Sequence, residues 1–197
     1  SIGMFNYGGG IYHGVYLSDE DIEICKEKGL YIITNPASNL KLASGVCPVD
    51  KYLKAGIKIA IGTDGPASNN SLDMFKELQL TSLLSKYREN DPGSLKAFDV
   101  LRMATVNGAR FMNLNNSDVL DKGKFADIIM IDLHAPNMRP SHDIINNLVY
   151  SANKANVMMT MIDGKILYYK HKFYLSEDVK KIYQNADKVI KRLTKKK

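Results

Sequence analysis

The sequence predicts an α/β protein in which a parallel sheet or barrel is followed by a smaller, β-rich portion. Three short apolar segments, at residues 11–15, 30–34 and 57–61, are rich in β-branched or aromatic side chains and favour strands. A polar loop and a helical pattern follow each of them, and crossovers of this length are typical of parallel strands. A later hairpin pattern around Asp163-Gly164 indicates antiparallel strands in a second layer.

The first strand-and-helix unit covers residues 11–29. His13 stands at the carboxyl end of the short strand. Ser18 is a good N-cap because acidic residues fill the following first turn, and Gly29 ends the helix. The unit therefore delivers an imidazole to a strand end.

The second unit begins with the strand at 30–34. Its carboxyl end is followed by Asn35-Pro36-Ala37-Ser38-Asn39, where Asn-Pro and Ser-Asn predict an irregular polar loop rather than immediate entry into a helix. Pro48 and Gly56 bracket a brief helix over residues 48–55.

The third unit places a carboxylate, that of Asp64, in the loop after its strand. The strand at 57–61 stops at Gly62, a polar loop follows, and a helix is predicted over residues 71–88. Asp64 is thus placed at the carboxyl end of a strand, where parallel α/β proteins bind their ligands. The alternative is that Asp64 only shapes a turn while Asn69 or Asn70 caps the helix.

Further helices and strands are predicted in the rest of the chain, and together with the first three units they define three domains. Helices are expected at 95–104, 106–114 and 144–152, strands at 128–133, 156–161 and 166–169, and a terminal helix with an apolar stripe from Val179 to Leu193. The predicted domains are a partial barrel at 1–120, a β-rich portion with an inserted helix at 121–175, and an amphipathic basic helix at 176–197.

Composition excludes several classes of protein. A chain of 197 residues with 45% hydrophobic content can build a real core. No apolar run approaches the roughly 20 residues that span a bilayer, and there is no signal-peptide pattern. We therefore expect a soluble, cytoplasmic protein with no membrane partner, in which Cys25 and Cys47 are reduced structural thiols.

The net positive charge of the chain comes from its carboxyl-terminal end. Residues 180–197 carry eight lysines and arginines against Asp187, a net of +7, and since the whole chain is +6 the preceding residues sum to −1. A terminal lysine run is more often a solvated helix end than a binding arm. The basic and aromatic interleaving of nucleic-acid readers is missing, so no nucleic-acid partner is expected.

Several segments, in this order, resemble the amidohydrolase superfamily, most closely its 5-methylthioadenosine/S-adenosylhomocysteine deaminase and chlorohydrolase group. They are His13-Gly14-Val15-Tyr16-Leu17-Ser18, Asn35-Pro36-Ala37-Ser38-Asn39, Gly62-Thr63-Asp64-Gly65-Pro66-Ala67-Ser68-Asn69-Asn70, Ala104-Thr105-Val106-Asn107-Gly108-Ala109, Gly123-Lys124-Phe125-Ala126-Asp127, His142-Asp143 and Asp163-Gly164-Lys165. Together they cover nearly the whole chain.

The resemblance implies the carboxyl-terminal part of a (β/α)8 barrel, strands six to eight, with part of a small β-sandwich and a final helix. It implies that Asp64 binds a divalent metal, zinc first with iron or nickel as other candidates, and acts as the base that deprotonates water. His13 would orient the water or polarise the reacting centre and contact substrate. Ser68 would contact the small-molecule substrate, an adenosine-type compound that loses ammonia.

The family's remaining metal ligands and acid, a His-x-His pair, a third histidine and a glutamate, have no counterpart here. His134, His142 and His171 are expected to be structural or exposed. Because a catalytic zinc usually has three protein ligands, we expect the isolated chain to be inactive. The alternative hypothesis is a non-catalytic interaction module that pairs with a missing barrel half or self-associates through open sheet edges.

Overall fold

A computed structural model describes residues 3–194. It divides the chain into two compact units. The first unit holds the described residues up to Lys124 together with Asp132–Asn156, and the second holds Phe125–Ile131 together with the described residues from Val157 onward. Lys195, Lys196 and Lys197, which belong to the predicted basic tail, lie outside the described residues.

The first unit contains a three-stranded parallel sheet in the order β1-β2-β3, as the sequence predicts. Its strands are β1 (Gly10–Tyr12), β2 (Tyr31–Thr34) and β3 (Lys58–Ile61). Its helices are α1 (Asp19–Glu27), α2 (Pro36–Lys41), α3 (Val49–Lys54), α4 (Pro66–Asn69), α5 (Met74–Glu89), α6 (Ala97–Arg102), α7 (Gly108–Phe111) and α8 (Ile144–Tyr150). Buried apolar side chains, including Leu30, Ile32 and Ile59, pack the helices against the sheet.

Local signals account for most of these elements. Ser18 and Asp21 form the reciprocal hydrogen bonds of a capping box at the start of α1. A π-helical turn (Met103–Asn107) joins α6 to α7, so one interrupted helix replaces the two that were predicted. Within this turn, Asn107 Nδ2 donates to the Ile59 carbonyl of β3 at 2.7 Å, which ties the helix to the strand.

Two predictions for the loops were wrong. The Asn35–Asn39 segment enters a helix at once, because Pro36 takes the first helical position, where its missing N–H costs nothing. The N-cap of α5 is Asp73, whose carboxylate accepts from the Phe75 N–H, so neither Asn69 nor Asn70 caps that helix. The polar loop after β3 also folds into the single turn of α4.

The second unit is a four-stranded antiparallel sheet in the order β4-β5-β6-β7, followed by a helix. Its elements are β4 (Ile128–Ile131), β5 (Val157–Ile162), β6 (Lys165–Tyr169), β7 (Lys172–Phe173) and α9 (Val179–Thr194). The predicted hairpin is confirmed, with β5 and β6 paired across Asp163-Gly164. In α9 the apolar stripe is exposed, and none of its residues is buried.

The helix predicted over residues 144–152 as an insert in the β-rich portion is α8, and it lies in the stretch Asp132–Asn156 that belongs to the first unit. Gln79 Nε2 on α5 donates to the Tyr150 carbonyl of α8 at 2.8 Å, and Val149 is completely buried. The remaining predicted domain boundaries stay predictions. Among the described residues, no helix is long and apolar enough to cross a membrane.

Candidate active site

Two strands of the first unit place the two predicted catalytic side chains on the same side of the sheet, where the carboxyl ends of the strands lie. His13 directly follows β1, and Asp64 lies three residues beyond the end of β3. Both have left-handed backbone conformations, with φ of 67° and 57°. A non-glycine residue in this region costs of the order of 1–3 kcal/mol, and such strain concentrates at functional sites.

The two side chains face one another. His13 Nε2 lies 4.0 Å from Asp64 Oδ2, and the side chains are 42% and 33% exposed. Both line an open pocket of about 420 Å³. Its other walls include Tyr12, Tyr16 and Leu42, so the pocket combines a charged corner with apolar and aromatic surface, as small-molecule sites commonly do.

Three donors hold the Asp64 carboxylate. Ser38 Oγ donates to Oδ2 at 2.6 Å, Ser68 Oγ donates to the same oxygen at 2.8 Å, and the Gly65 N–H donates to Oδ1 at 2.7 Å. Hydrogen bonds from the Ser38 hydroxyl, then the Ser68 hydroxyl and then the Gly65 backbone N–H lower the pKa of Asp64 from 3.8 to about 2. Asp64 is therefore an oriented carboxylate and does more than shape its own turn.

Ser68, the predicted substrate contact, forms its hydrogen bonds within the site. Its hydroxyl is directed at Asp64 Oδ2 and lies 3.1 Å from the Gly65 carbonyl, which is a second acceptor for the same proton. The structure thus places Ser68 beside the carboxylate, and its contact with substrate stays a prediction.

His13 is oriented from behind by Asn39. His13 Nδ1 lies 2.7 Å from Asn39 Oδ1, which is an acceptor, so we assign the ring hydrogen to Nδ1 and leave Nε2 facing Asp64. The backbone after His13 is also fixed, because the Tyr52 hydroxyl donates to the Gly14 carbonyl at 2.6 Å. Burial raises the pKa of Tyr52 to about 12, so this donor stays protonated.

Sequence reasoning missed Ser38 and Asn39 as site residues. Both belong to α2, both are buried, and they contact Asp64 and His13 respectively. The signal that could have found them is the polar Ser-Asn pair just after β2, because the carboxyl ends of three adjacent parallel strands meet at one edge.

The donor set fits one side of a metal site and does not complete it. Asp64 offers an ionised carboxylate and His13 a ring nitrogen, both suited to zinc. Among residues 3–194 there is no cluster of three or more His, Cys, Asp or Glu side chains that could hold an ion. His134, His142 and His171 are exposed, as predicted. Cys25 and Cys47 are buried free thiols, and burial raises the pKa of both.

Comparison with known proteins identifies the family of the chain. Residues 5–167 match the amidohydrolase family. A 5-methylthioadenosine/S-adenosylhomocysteine deaminase of Dictyoglomus thermophilum is 44% identical over 183 residues, which are 93% of this chain and 43% of that protein. A 5'-deoxyadenosine deaminase of Methanosarcina mazei is 42% identical over 92% of this chain and 41% of its own length.

Solved structures give the same result. A zinc-bound adenosine deaminase from Xanthomonas campestris superposes with a TM-score of 0.88 at 36% identity, over 93% of this chain and 42% of that one. The chain therefore spans about two fifths of the length of the relatives that it matches. Because the match to the amidohydrolase family extends over residues 5–167, which is most of the chain, the chain belongs to that family.

Proposed function

We propose that this chain supplies the carboxyl-terminal part of a metal-dependent aminohydrolase, with β1, β2 and β3 as barrel strands six, seven and eight and the second unit as part of a small β-sandwich. The single observation that carries the proposal is the 4.0 Å approach of His13 Nε2 to the Asp64 carboxylate at the end of a parallel sheet. The reaction would be hydrolytic removal of an exocyclic amine.

Asp64 would move the proton in this reaction. Water adds to the carbon that bears the amine, so a C–O bond forms; the C–N bond then breaks and ammonia leaves. Asp64 accepts one proton from the attacking water and passes it to the departing nitrogen. A divalent ion held in part by Asp64 would supply the acidity that makes water a nucleophile near neutral pH.

His13 and Ser68 would assist at the same corner of the pocket. With its hydrogen assigned to Nδ1, His13 presents Nε2 to water or to the reacting centre. The Ser68 hydroxyl donates to Asp64 at 2.8 Å, and from this position it would contact a substrate atom next to the carboxylate. Zinc is the first candidate ion, since the Xanthomonas adenosine deaminase was solved with zinc bound; iron and nickel are the alternatives.

The proposed substrate class is adenosine-type. Proteins named 5-methylthioadenosine/S-adenosylhomocysteine deaminase and 5'-deoxyadenosine deaminase support this class. The aromatic and apolar walls of the pocket, Tyr12, Tyr16 and Leu42, suit a flat heterocycle. The missing metal ligands would come from protein beyond these residues, and we expect no deamination by this chain alone.

The alternative function is that of a pairing module. Within the described residues, β1 and β3 each pair on one side only, which leaves backbone donors and acceptors on both edges of the sheet. A missing barrel half or a second copy of the chain would cover them. Analytical ultracentrifugation tests this, and a compact monomer without affinity for a barrel half would contradict it.

Ammonia release tests the catalytic proposal. A hybrid protein joins the part of the Dictyoglomus deaminase that precedes the matched region to this chain. With zinc and 5'-methylthioadenosine, we expect ammonia from the hybrid protein and none from the isolated chain. A folded, zinc-loaded hybrid protein without turnover, beside an active Dictyoglomus enzyme, would contradict the proposed function. Turnover by the isolated chain would contradict its incompleteness.

A further inference from the structure

One buried carboxylate lies behind the site and has no place in the chemistry above. Glu77 is in the first turns of α5 and its side chain is completely buried. Ionisable side chains are almost never fully buried without partners. The partners of Glu77 therefore indicate what it does.

Glu77 connects the two segments that carry the site. Its Oε2 accepts from the Ala37 N–H at 3.0 Å, and its Oε1 accepts from Asn69 Nδ2 at 2.8 Å. Ala37 directly precedes Ser38, and Asn69 directly follows Ser68. One carboxylate thus bridges the segment after β2 and the segment after β3.

Asn69 also connects Glu77 to the residue that precedes Asp64 in the sequence. Its Nδ2 also donates to the Thr63 carbonyl at 2.6 Å, so the two hydrogens of one amide reach Glu77 and the residue before Asp64. Asn69 Oδ1 is buried without a hydrogen-bond partner among the described residues. A flipped amide would direct that oxygen at two acceptors, so the nitrogen must face Glu77 and Thr63.

A carboxylate is the group that this position requires. Both of its neighbours are donors, so a side chain with two acceptor atoms satisfies them, and an amide would direct its own N–H groups at one of them. Burial raises the pKa of Glu77, while the hydrogen bonds from Ala37 and Asn69 oppose that effect. A buried charge is costly compared with a packed apolar side chain, which points to a positional role.

An exposed contact spans the same two segments and is weaker. Lys41 Nζ donates to the Ala67 carbonyl at 2.9 Å and also contacts Asn70 Oδ1. Solvent competes for both of these bonds, whereas the bonds of Glu77 are sheltered from water. Glu77 is therefore the stronger of the two connections behind the Ser38–Asp64 hydrogen bond.

We propose that Glu77 is a positioning residue that fixes the segments 36–39 and 63–69 against each other, and so holds Ser38 and Ser68 at hydrogen-bonding distance from Asp64. It acts through Ala37 and Asn69 and touches neither pocket nor substrate. The structural part of the proposal stands alone; its effect on turnover rests on the proposed function.

Hydrogen exchange in the isolated chain tests the structural part. Glu77→Leu removes both acceptors, and Glu77→Gln keeps one for the Ala37 N–H but offers an N–H group to Asn69. We expect Glu77→Leu to speed exchange of the Ala37 amide and the Asn69 side-chain amide by about tenfold or more. In Glu77→Gln the Ala37 amide stays protected and the Asn69 amide does not.

Ser85→Ala is the matched control. Ser85 is buried on the same helix and bonds Ser94 Oγ at 3.1 Å, away from both segments. A loss of global stability would speed the exchange of all amides together. Only a local role of Glu77 would speed exchange of the Asn69 side-chain amide while the Ala37 amide stays protected. If Glu77→Leu does not fold, Glu77→Gln decides. Equal exchange at Asn69 in Glu77→Gln and in the unchanged chain would overturn the proposal.

Kinetics of the hybrid protein test the effect on turnover. We expect Glu77→Gln to lower kcat by about 10–100-fold with little change in KM, and Ser85→Ala to leave both nearly unchanged. An unchanged kcat in an active hybrid protein would overturn the effect of Glu77 on turnover. A hybrid protein that is inactive with Glu77 in place would instead contradict the proposed function, and the exchange experiment would still decide the role of Glu77.

Discussion

Removal of the two serine hydroxyls that hold Asp64 should raise its pKa. The value lies at about 2 against an ordinary 3.8. Of the four interactions that lower it, the hydrogen bonds from Ser38 and Ser68 are the two largest. They therefore account for the larger part of the decrease, and Ser38→Ala/Ser68→Ala should move the pKa of Asp64 clearly back towards 3.8.

The effect on stability has a defined sign. Since the pKa of Asp64 is lower in the folded chain than in the unfolded chain, its contribution is complete above pH 3.8 and is lost as the pH falls towards 2. Because the side chain is 33% exposed, we expect solvent screening to keep this contribution below about 1 kcal/mol. The double variant should lose less stability than the parent across that window.

Carbon-detected NMR of the side-chain carboxyl groups in the metal-free chain measures the change. Asp21 provides a control in the same spectrum, because Ser18 lowers its pKa at a separate place. We expect the Asp64 curve to move to higher pH while the Asp21 curve stays in place. An Asp64 pKa that remains near 2 in the double variant would contradict the hydrogen-bonded arrangement.

Three further substitutions test the frame around the site. Gly14→Ala places a Cβ 2.6 Å from Ile32 Cγ2 at a φ of +58°. The strain and overpacking should lower the free energy of unfolding by about 2–4 kcal/mol in urea titrations, and a cost under about 0.5 kcal/mol would contradict the close approach. Tyr52→Phe leaves the Gly14 carbonyl without its donor and should cost about 1–3 kcal/mol in the same assay, so an unchanged midpoint argues against that bond. Asn39→Leu removes the acceptor for His13 Nδ1, and we expect a hydrogen-bonded ring N–H signal in the proton NMR spectrum of the parent and none in the variant. A signal that persists in the variant would mean that another group orients the ring.

Much of the fold was predictable because local signals agreed with the tertiary structure. The apolar runs became β2 and β3, and Ser18 capped α1 as expected. The approach of His13 to Asp64 could be inferred from topology, since β1 and β3, on either side of β2, belong to one parallel sheet and their carboxyl ends lie on the same side. That inference needed only the order of elements along the chain.

The supporting residues were not predictable in the same way. Glu77 is 40 residues from Ala37 in sequence, and nothing near it indicates that its carboxylate is buried. On the sequence alone, Asn35-Pro36 signals a loop as well as a helix start, and the fold of α2 decides where Ser38 and Asn39 point. Such features depend on contacts between distant segments.

The most direct test of the central claim is ammonia release by the hybrid protein with Asp64→Asn. The substitution keeps the size of the side chain and removes the group that accepts the proton. We predict that kcat falls by at least about 100-fold while the hybrid protein stays folded. A turnover rate within a few-fold of the parent would contradict the assignment of Asp64 as the base.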